Sequence, residues 1–296
     1  MSTTTGEPTS QVTAAESVGP YNYVPTEWIC ITFVTLFAIN TVLHLFQSRK
    51  FRMWWLIPTV ILADILEILG WSARLWSSIS PALLTPFEIQ LVGTILAPTP
   101  FLAANFVILG KIIIQLGPQY SRLSPKLLQD VICLIIQAVG GAYAANEVNQ
   151  GQNPDNGGNI MLVGVTIQSC AMALYVLCAG EFLLRFLNDT PVRKNSMPVS
   201  DEKRRAKIVE WHIVKWLILG LVIQMFCLIV RSAYRTVELS NGWSGPIIST
   251  EAYFNVFDGL MMIIAVYTMN LIHPGPFLGT LPEKPGFGFH TLRGGE

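Results

Sequence analysis

Charge and histidine are what this sequence has least of. Only 13% of its residues are Asp, Glu, Lys or Arg, about half the share in an ordinary soluble domain. The 4 histidines are scattered: His44 at the end of the first apolar run, His212 and His273 at run boundaries, His290 near the C-terminus. That scatter gives no zinc or diiron cluster in a helical bundle. With neither HxxxH nor HExxH spacing, an intramembrane metallohydrolase is excluded as well. There is no Gly-rich phosphate loop, so chemistry driven directly by ATP is not expected. No lysine lies within 251–272, which excludes a retinal Schiff base. Cys30, Cys133, Cys170, Cys178 and Cys227 all fall in apolar runs, so neither a disulfide framework nor a metal site is read from them. Ser72 has no base in view, and no catalytic residue or cofactor is assigned. Residues 1–27 contain no Lys or Arg and hence no basic segment of a cleavable signal.

What fills the chain instead is apolar sequence, 51% of it. A helix needs about 20 mostly apolar residues to cross the hydrocarbon core. Such runs fall near 26–46, 55–75, 88–114, 128–147, 160–186, 212–233 and 251–272. The expected fold is an all-α membrane protein, a seven-transmembrane-helix bundle. Basic residues alternate between the loops. The first loop carries Arg49, Lys50 and Arg52, the third Arg122 and Lys126, and the fifth Arg193, Lys194, Lys203, Arg204, Arg205 and Lys207, while the second and fourth carry none. The positive-inside rule then places the N-terminus outside and the C-terminus in the cytoplasm. The expected division is a disordered tail over 1–25, a membrane domain over 26–273 and a cytoplasmic tail over 274–296. The stretch 201–211 reads as a helix continuous with the sixth run. Its Lys203, Arg204, Arg205 and Lys207 either fix topology or contact anionic lipid.

Ionisable residues inside a membrane are costly, so they are expected to face inward and pair. Asp64, Glu67, Trp71 and Arg74 are spaced by three, four and three residues and share one helical face. Gln224, Leu228, Arg231, Arg235 and Glu238 do the same in the sixth run, and Glu251, Asn255, Asp258 and Met262 in the seventh. Gln137 and Gln168 add hydrogen-bonding groups from the fourth and fifth. The expectation is a polar cavity in the outer half. Its binding residues would be Glu67, Trp71, Arg74, Gln137, Gln168, Arg231, Arg235, Glu251 and Asp258. Two readings stand: a head-group site, or an ion-pair network that only fixes helix register. Under the first, Asp258→Asn or Glu67→Gln abolishes activity with expression intact; under the second, expression is lost. In the third run, Ala97-Pro98-Thr99-Pro100 removes backbone donors and predicts a kink whose freed carbonyls find partners within the bundle.

With these motifs in place the chain resembles the fungal RTA-like family, also called lipid-translocating exporters. The resemblance spans about residues 21–278. Glu67, Gly70, Trp71 and Arg74 are similar to the family's E-x-x-G-Y-x-x-R, with Trp for Tyr. Ala97, Pro98, Ala103 and Ala104 resemble its A-P stretch, with Phe106 where a Tyr is common, and Asp130, Gln137, Gly140 and Gly141 a D-x-x-Q-x-x-G-G run, with Gly164 and Gln168 its neighbour. The closest likeness is at the end: Arg231, Tyr234, Arg235, Glu238, Gly242, Glu251, Tyr253, Asp258 and His273-Pro274. The resemblance implies export or transbilayer movement of an amphiphilic lipid such as a sphingoid long-chain base, or of a toxic amphiphile, at the plasma membrane. It implies drug resistance and stress response, and no nucleic-acid partner. A seven-helix lipid sensor and a membrane lipid-modifying enzyme remain the alternatives.

Overall fold

The computed structural model describes residues 21–116, 120–121, 154–191, 201–241 and 246–279. Every regular element among them is helical. α1 spans Glu27–Lys50. A 3-10 turn (Trp54–Leu56) and a π-helical turn (Ile57–Ile61) lead into α2 (Leu62–Ile79). α3 (Leu84–Leu96) and α4 (Pro98–Leu116) follow, then α5 (Pro154–Leu187) and α6 (Asp201–Ser240). α7 (Glu251–Tyr253) passes through a π-helix (Phe254–Leu260) into α8 (Met261–Leu271), and α9 (Pro274–Gly279) closes the described chain.

Six stretches among the described residues are long and apolar enough to cross a membrane: Glu27–Lys50, Trp54–Ile79, Leu84–Leu116, Leu162–Leu187, Val214–Ser240 and Glu251–Phe277. They match the first, second, third, fifth, sixth and seventh runs read from the sequence. The fourth run, 128–147, lies outside the described residues, as do the tails. Helix α6 is continuous from Asp201, as expected of the 201–211 stretch. The sixth span outruns its predicted boundary by seven residues, to Ser240, because Arg235 and Glu238 are buried inside the bundle and so need no exit to water.

The distribution of side chains is inverted relative to a soluble protein. Asp64, Glu67, Arg74, Arg231, Arg235 and Asp258 are buried, whereas Leu177, Phe46 and Phe226 lie 64% exposed or more. Lipid tolerates that exterior and water does not. Large exposed tryptophans mark two rims: Trp28 and Trp76 on one, Trp54 and Trp216 on the other. Trp54 and Trp76 are 22 residues apart, about 33 Å of helix at 1.5 Å per residue, close to the thickness of a bilayer core.

Hydrogen bonds define both ends of the bundle. At the first, the Tyr21 hydroxyl donates to Gln90 Oε1 at 2.8 Å, and the Glu251 carboxylate accepts from Thr26 N–H at 2.8 Å and Thr26 Oγ1 at 2.7 Å. Thr26 is the N-cap residue of α1 and makes no side-chain cap of its own, so a carboxylate from the last span takes that role beside the positive helix end. At the second end, the Gln47 amide donates to Asn270 O at 3.3 Å, and the Phe51 ring stacks on His273 at 5.1 Å.

Close crossings set the helix spacing. A Cβ added to Gly93 would stand 3.0 Å from Leu66 O and 3.2 Å from Gly70 Cα, so α2 and α3 meet backbone to backbone. A Cβ on Gly259 would fall 2.4 Å from the Trp71 ring and 2.8 Å from Phe33, which are themselves stacked at 4.0 Å. Only glycine lets the last span approach α1 and α2 there.

Candidate functional site

Helices α2, α3 and α6 and the π-helix of the last span bring a column of charged side chains into the bundle. Its core is Asp258. The Asp258 carboxylate accepts from Arg235 Nε at 2.6 Å and pairs with Arg231 Nε at 3.0 Å, while Arg231 Nη2 reaches its other oxygen at 3.1 Å. Arg231 also donates to Glu67 Oε1 at 3.1 Å, and Arg235 Nη1 donates to Glu238 Oε2 at 2.8 Å. Glu238 in turn accepts from the Tyr234 hydroxyl at 2.9 Å. All of these side chains are buried.

The helix break explains how the column is completed. In an α-helix the N–H of residue 98 would bond the carbonyl of Thr94, but residue 98 is proline and has no N–H. The freed Thr94 carbonyl accepts from Arg231 Nη2 at 2.6 Å, and Thr94 Oγ1 accepts from Arg235 Nη2 at 2.6 Å. The break expected at Ala97-Pro98 therefore supplies Arg231 with a carbonyl acceptor, and the hydroxyl of the same Thr94 serves Arg235. Gly70 and Gly93 bring Thr94 up to α2, its methyl 2.7 Å from where a Gly70 Cβ would lie.

Toward the first end, Arg74 donates to the Tyr23 hydroxyl at 2.7 Å and pairs with Glu251 at 3.6 Å. Its guanidinium lies 4.4 Å from the Phe254 ring centroid and 5.1 Å from Tyr21, while that of Arg235 lies 4.9 Å from Phe254. One desolvated ring thus serves two cations, a geometry worth about 2 kcal/mol per contact. Burial pushes the Tyr21 phenol up to about 12, so it remains a neutral donor.

Toward the middle of the bundle, the Asn40 amide of α1 donates to Asp64 Oδ2 at 2.7 Å. Asn40 Oδ1 accepts from the Asn270 amide. Among the described residues Asp64 Oδ1 and Glu67 Oε2 have no hydrogen-bond partner, although both residues are fully buried.

Of the sequence-derived residues, Glu67, Arg231, Arg235 and Asp258 come together in one network, Arg74 and Glu251 form a second pair beside it, and Trp71 packs against Phe33 and Phe254. Gln137 lies outside the described residues. The side chains of Lys203, Arg204, Arg205 and Lys207 do too. Gln168 stands apart from the ion pairs, on the wall of a small cavity shared with Ile95, Pro98, Val165, Leu228, Ser232 and the two arginines. Among the described residues, the charged side chains expected to line an outer cavity form a packed ionic core, with this small cavity on its α5 side. Thr94, Asn40 and Tyr23 were not legible as members, since an uncharged residue in an apolar run carries no cost that singles it out. Asp64 and Glu238 lie on the recognised stripes. Among the described residues no three His, Cys, Asp or Glu side chains group as metal ligands.

Fold and site together define an integral, multi-pass membrane protein with an apolar exterior and a charged interior. The model of the family described as RTA1 like protein matches residues 60–280, and the chain belongs to that family. It is 27% identical over 292 residues to the sphingoid long-chain base transporter RSB1 of Saccharomyces cerevisiae (strain ATCC 204508 / S288c), covering 89% of this chain and 76% of the relative. Protein RTA1 of the same strain is 26% identical over 285 residues, 86% of this chain and 84% of the relative. The lipid-translocating exporter-like protein RTA1 of Leptosphaeria maculans is 25% identical over 284 residues, 87% of this chain and 51% of the relative. No solved structure matches the chain.

Proposed function

We propose that this protein is a seven-helix carrier that holds the head group of an amphiphilic lipid, of the sphingoid long-chain base kind, and moves or exports it across the plasma membrane without ATPase chemistry of its own. The N-terminus lies outside and the C-terminus in the cytoplasm in this reading, as the alternation of basic loops indicates. The naming of its relatives as transporters and exporters points the same way. The observation that carries the reading is the charged column itself. It runs from the first rim, at Arg74 and Glu251, to the bundle centre, and a cavity beside it is walled by Gln168, Ser232, Arg231 and Arg235. Intramembrane charge on this scale is costly to insert, and transport pathways are its commonest use. Lipid hydroxyls fit Gln168 and Ser232, while the acyl chain stays among the exposed apolar side chains of the bundle surface.

The test is transbilayer movement of a labelled sphingoid base in liposomes holding the purified protein, with empty liposomes as the baseline. Wild type is expected to accelerate movement. Gln168→Ala, which leaves every ion pair in place, is expected to slow it about fivefold to tenfold, the loss of one hydrogen bond near 1 kcal/mol. Saturable binding without movement would overturn transport in favour of lipid sensing.

A further inference from the structure

The column contains more acid than base. Asp64, Glu67, Glu238, Asp258 and Glu251 face Arg74, Arg231 and Arg235, five carboxyl groups against three guanidiniums. Fully ionised, the set would leave two negative charges inside a membrane protein, each costing several kcal/mol of lost hydration. The geometry shows where that surplus sits. Asp258 and Glu238 are each held by arginine, and Glu251 by Thr26 and Arg74. Among the described residues, Glu67 gives one oxygen to Arg231 and leaves Oε2 unpartnered, while Asp64 touches no cation, accepts only from the neutral Asn40 amide and leaves Oδ1 unpartnered. The two residues are three apart on α2, on one helical face, and both are fully buried.

Among the described residues the surroundings supply nothing else to balance them. From α1 come Asn40 and, one turn on, the buried His44, which lies beside His273 and not against Asp64. From the last span come Tyr267, which faces Asp64 while donating its own hydroxyl to Leu36 O, Asn270 behind Asn40, and Asp258. From α6 come Arg231 and Arg235, both already engaged, and from α3 Thr94, which accepts from both. On α2 itself the Trp71 indole faces Glu67. The lysine of α4, Lys111, lies over the Trp55 ring, 4.8 Å from its centroid.

We propose that Asp64, with Glu67 one turn away, is a proton-binding site that exchanges its proton for the ammonium group of a cationic amphiphile. This rests on the carrier reading above. In the empty protein Asp64 is a neutral carboxylic acid. When an ammonium head group arrives, the acid O–H bond breaks and the proton passes to the unpartnered Oε2 of Glu67, one turn away, and from there to water. The ammonium then pairs with the carboxylate that remains. Charge within the membrane is unchanged, since one cation enters as one leaves, and the exchange couples lipid movement to the proton gradient.

The experiment is calorimetric titration of purified protein with sphingosine at about pH 6, well below the pKa of an aliphatic amine, in two buffers of different ionisation enthalpy. The difference in heat counts protons. About one proton released per bound lipid is expected for wild type, and close to none for Asp64→Asn. Glu67→Gln, as a second variant, is expected to retain release but slow its appearance in a stopped-flow pH-indicator trace. Saturable binding by wild type with no proton released overturns the exchange and leaves the carrier reading standing. Undiminished release from Asp64→Asn overturns the assignment to Asp64. Absence of saturable binding by wild type strikes the carrier reading instead.

Discussion

Asp258 joins two arginines that reach it from one helix, and its two oxygens are fully used by them. Removing its charge leaves Arg231 with Glu67 and Arg235 with Glu238 but takes away the anion that the two guanidiniums share, a change that costs about 3 kcal/mol. Asp258→Asn is therefore expected to lower the thermal midpoint, as read by fluorescence-detected size exclusion, with enough folded protein left to assay. Glu67→Gln keeps an oxygen for Arg231, which retains Asp258 and Thr94 O. Its expected cost is about 1.5 kcal/mol, with expression preserved. A Glu67→Gln protein less stable than Asp258→Asn would overturn this ranking. The two variants thus separate what the sequence treated as equivalent. Charge spacing made every carboxylate and guanidinium on the three faces visible; it could not show which were saturated, because saturation depends on partners from other helices.

At the scale of the element, the third span works through a bond it lacks. Pro98 deprives the Thr94 carbonyl of its helical donor, and Arg231 takes the place of that donor. Pro98→Ala restores an N–H that competes for the same oxygen, so the helix is expected to straighten and the Arg231 anchor to weaken. Transport by Pro98→Ala is expected to fall at least as far as that of Gln168→Ala, while stability changes by less than for Asp258→Asn; an unaltered transport rate would show that the break serves packing alone. Proline spacing made the break legible. The π-helix at Phe254–Leu260 was not, because an extra residue per turn leaves no mark in the apolar pattern. It carries Asp258 and Gly259, and the tight seat of Gly259 on Trp71 and Phe33 makes Gly259→Ala a second disruptive change, expected to lower the thermal midpoint as a ring and a backbone are forced apart.

The whole molecule was legible in outline, since length and hydropathy alone mark spans, and the six described ones fall where apolar runs predict. The ends were less so: a buried Arg235 or Glu238 looks, in sequence, like an exit to water. Exposed tryptophans show better where the membrane lies. Replacing Trp28, Trp54, Trp76 or Trp216 singly by Phe is expected to remove fluorescence quenched by lipids brominated near the head group, and to leave quenching by deeply brominated lipids unchanged. Quenching lost from the deep bromines would displace the rims. The distance of about 33 Å between Trp54 and Trp76 is a length along the helix, which tilt shortens across the bilayer. Each ångström of mismatch left after tilting costs a fraction of a kcal/mol. The rim tryptophans therefore make the bundle's tilt answer to bilayer thickness, upright in a thick membrane and inclined in a thin one.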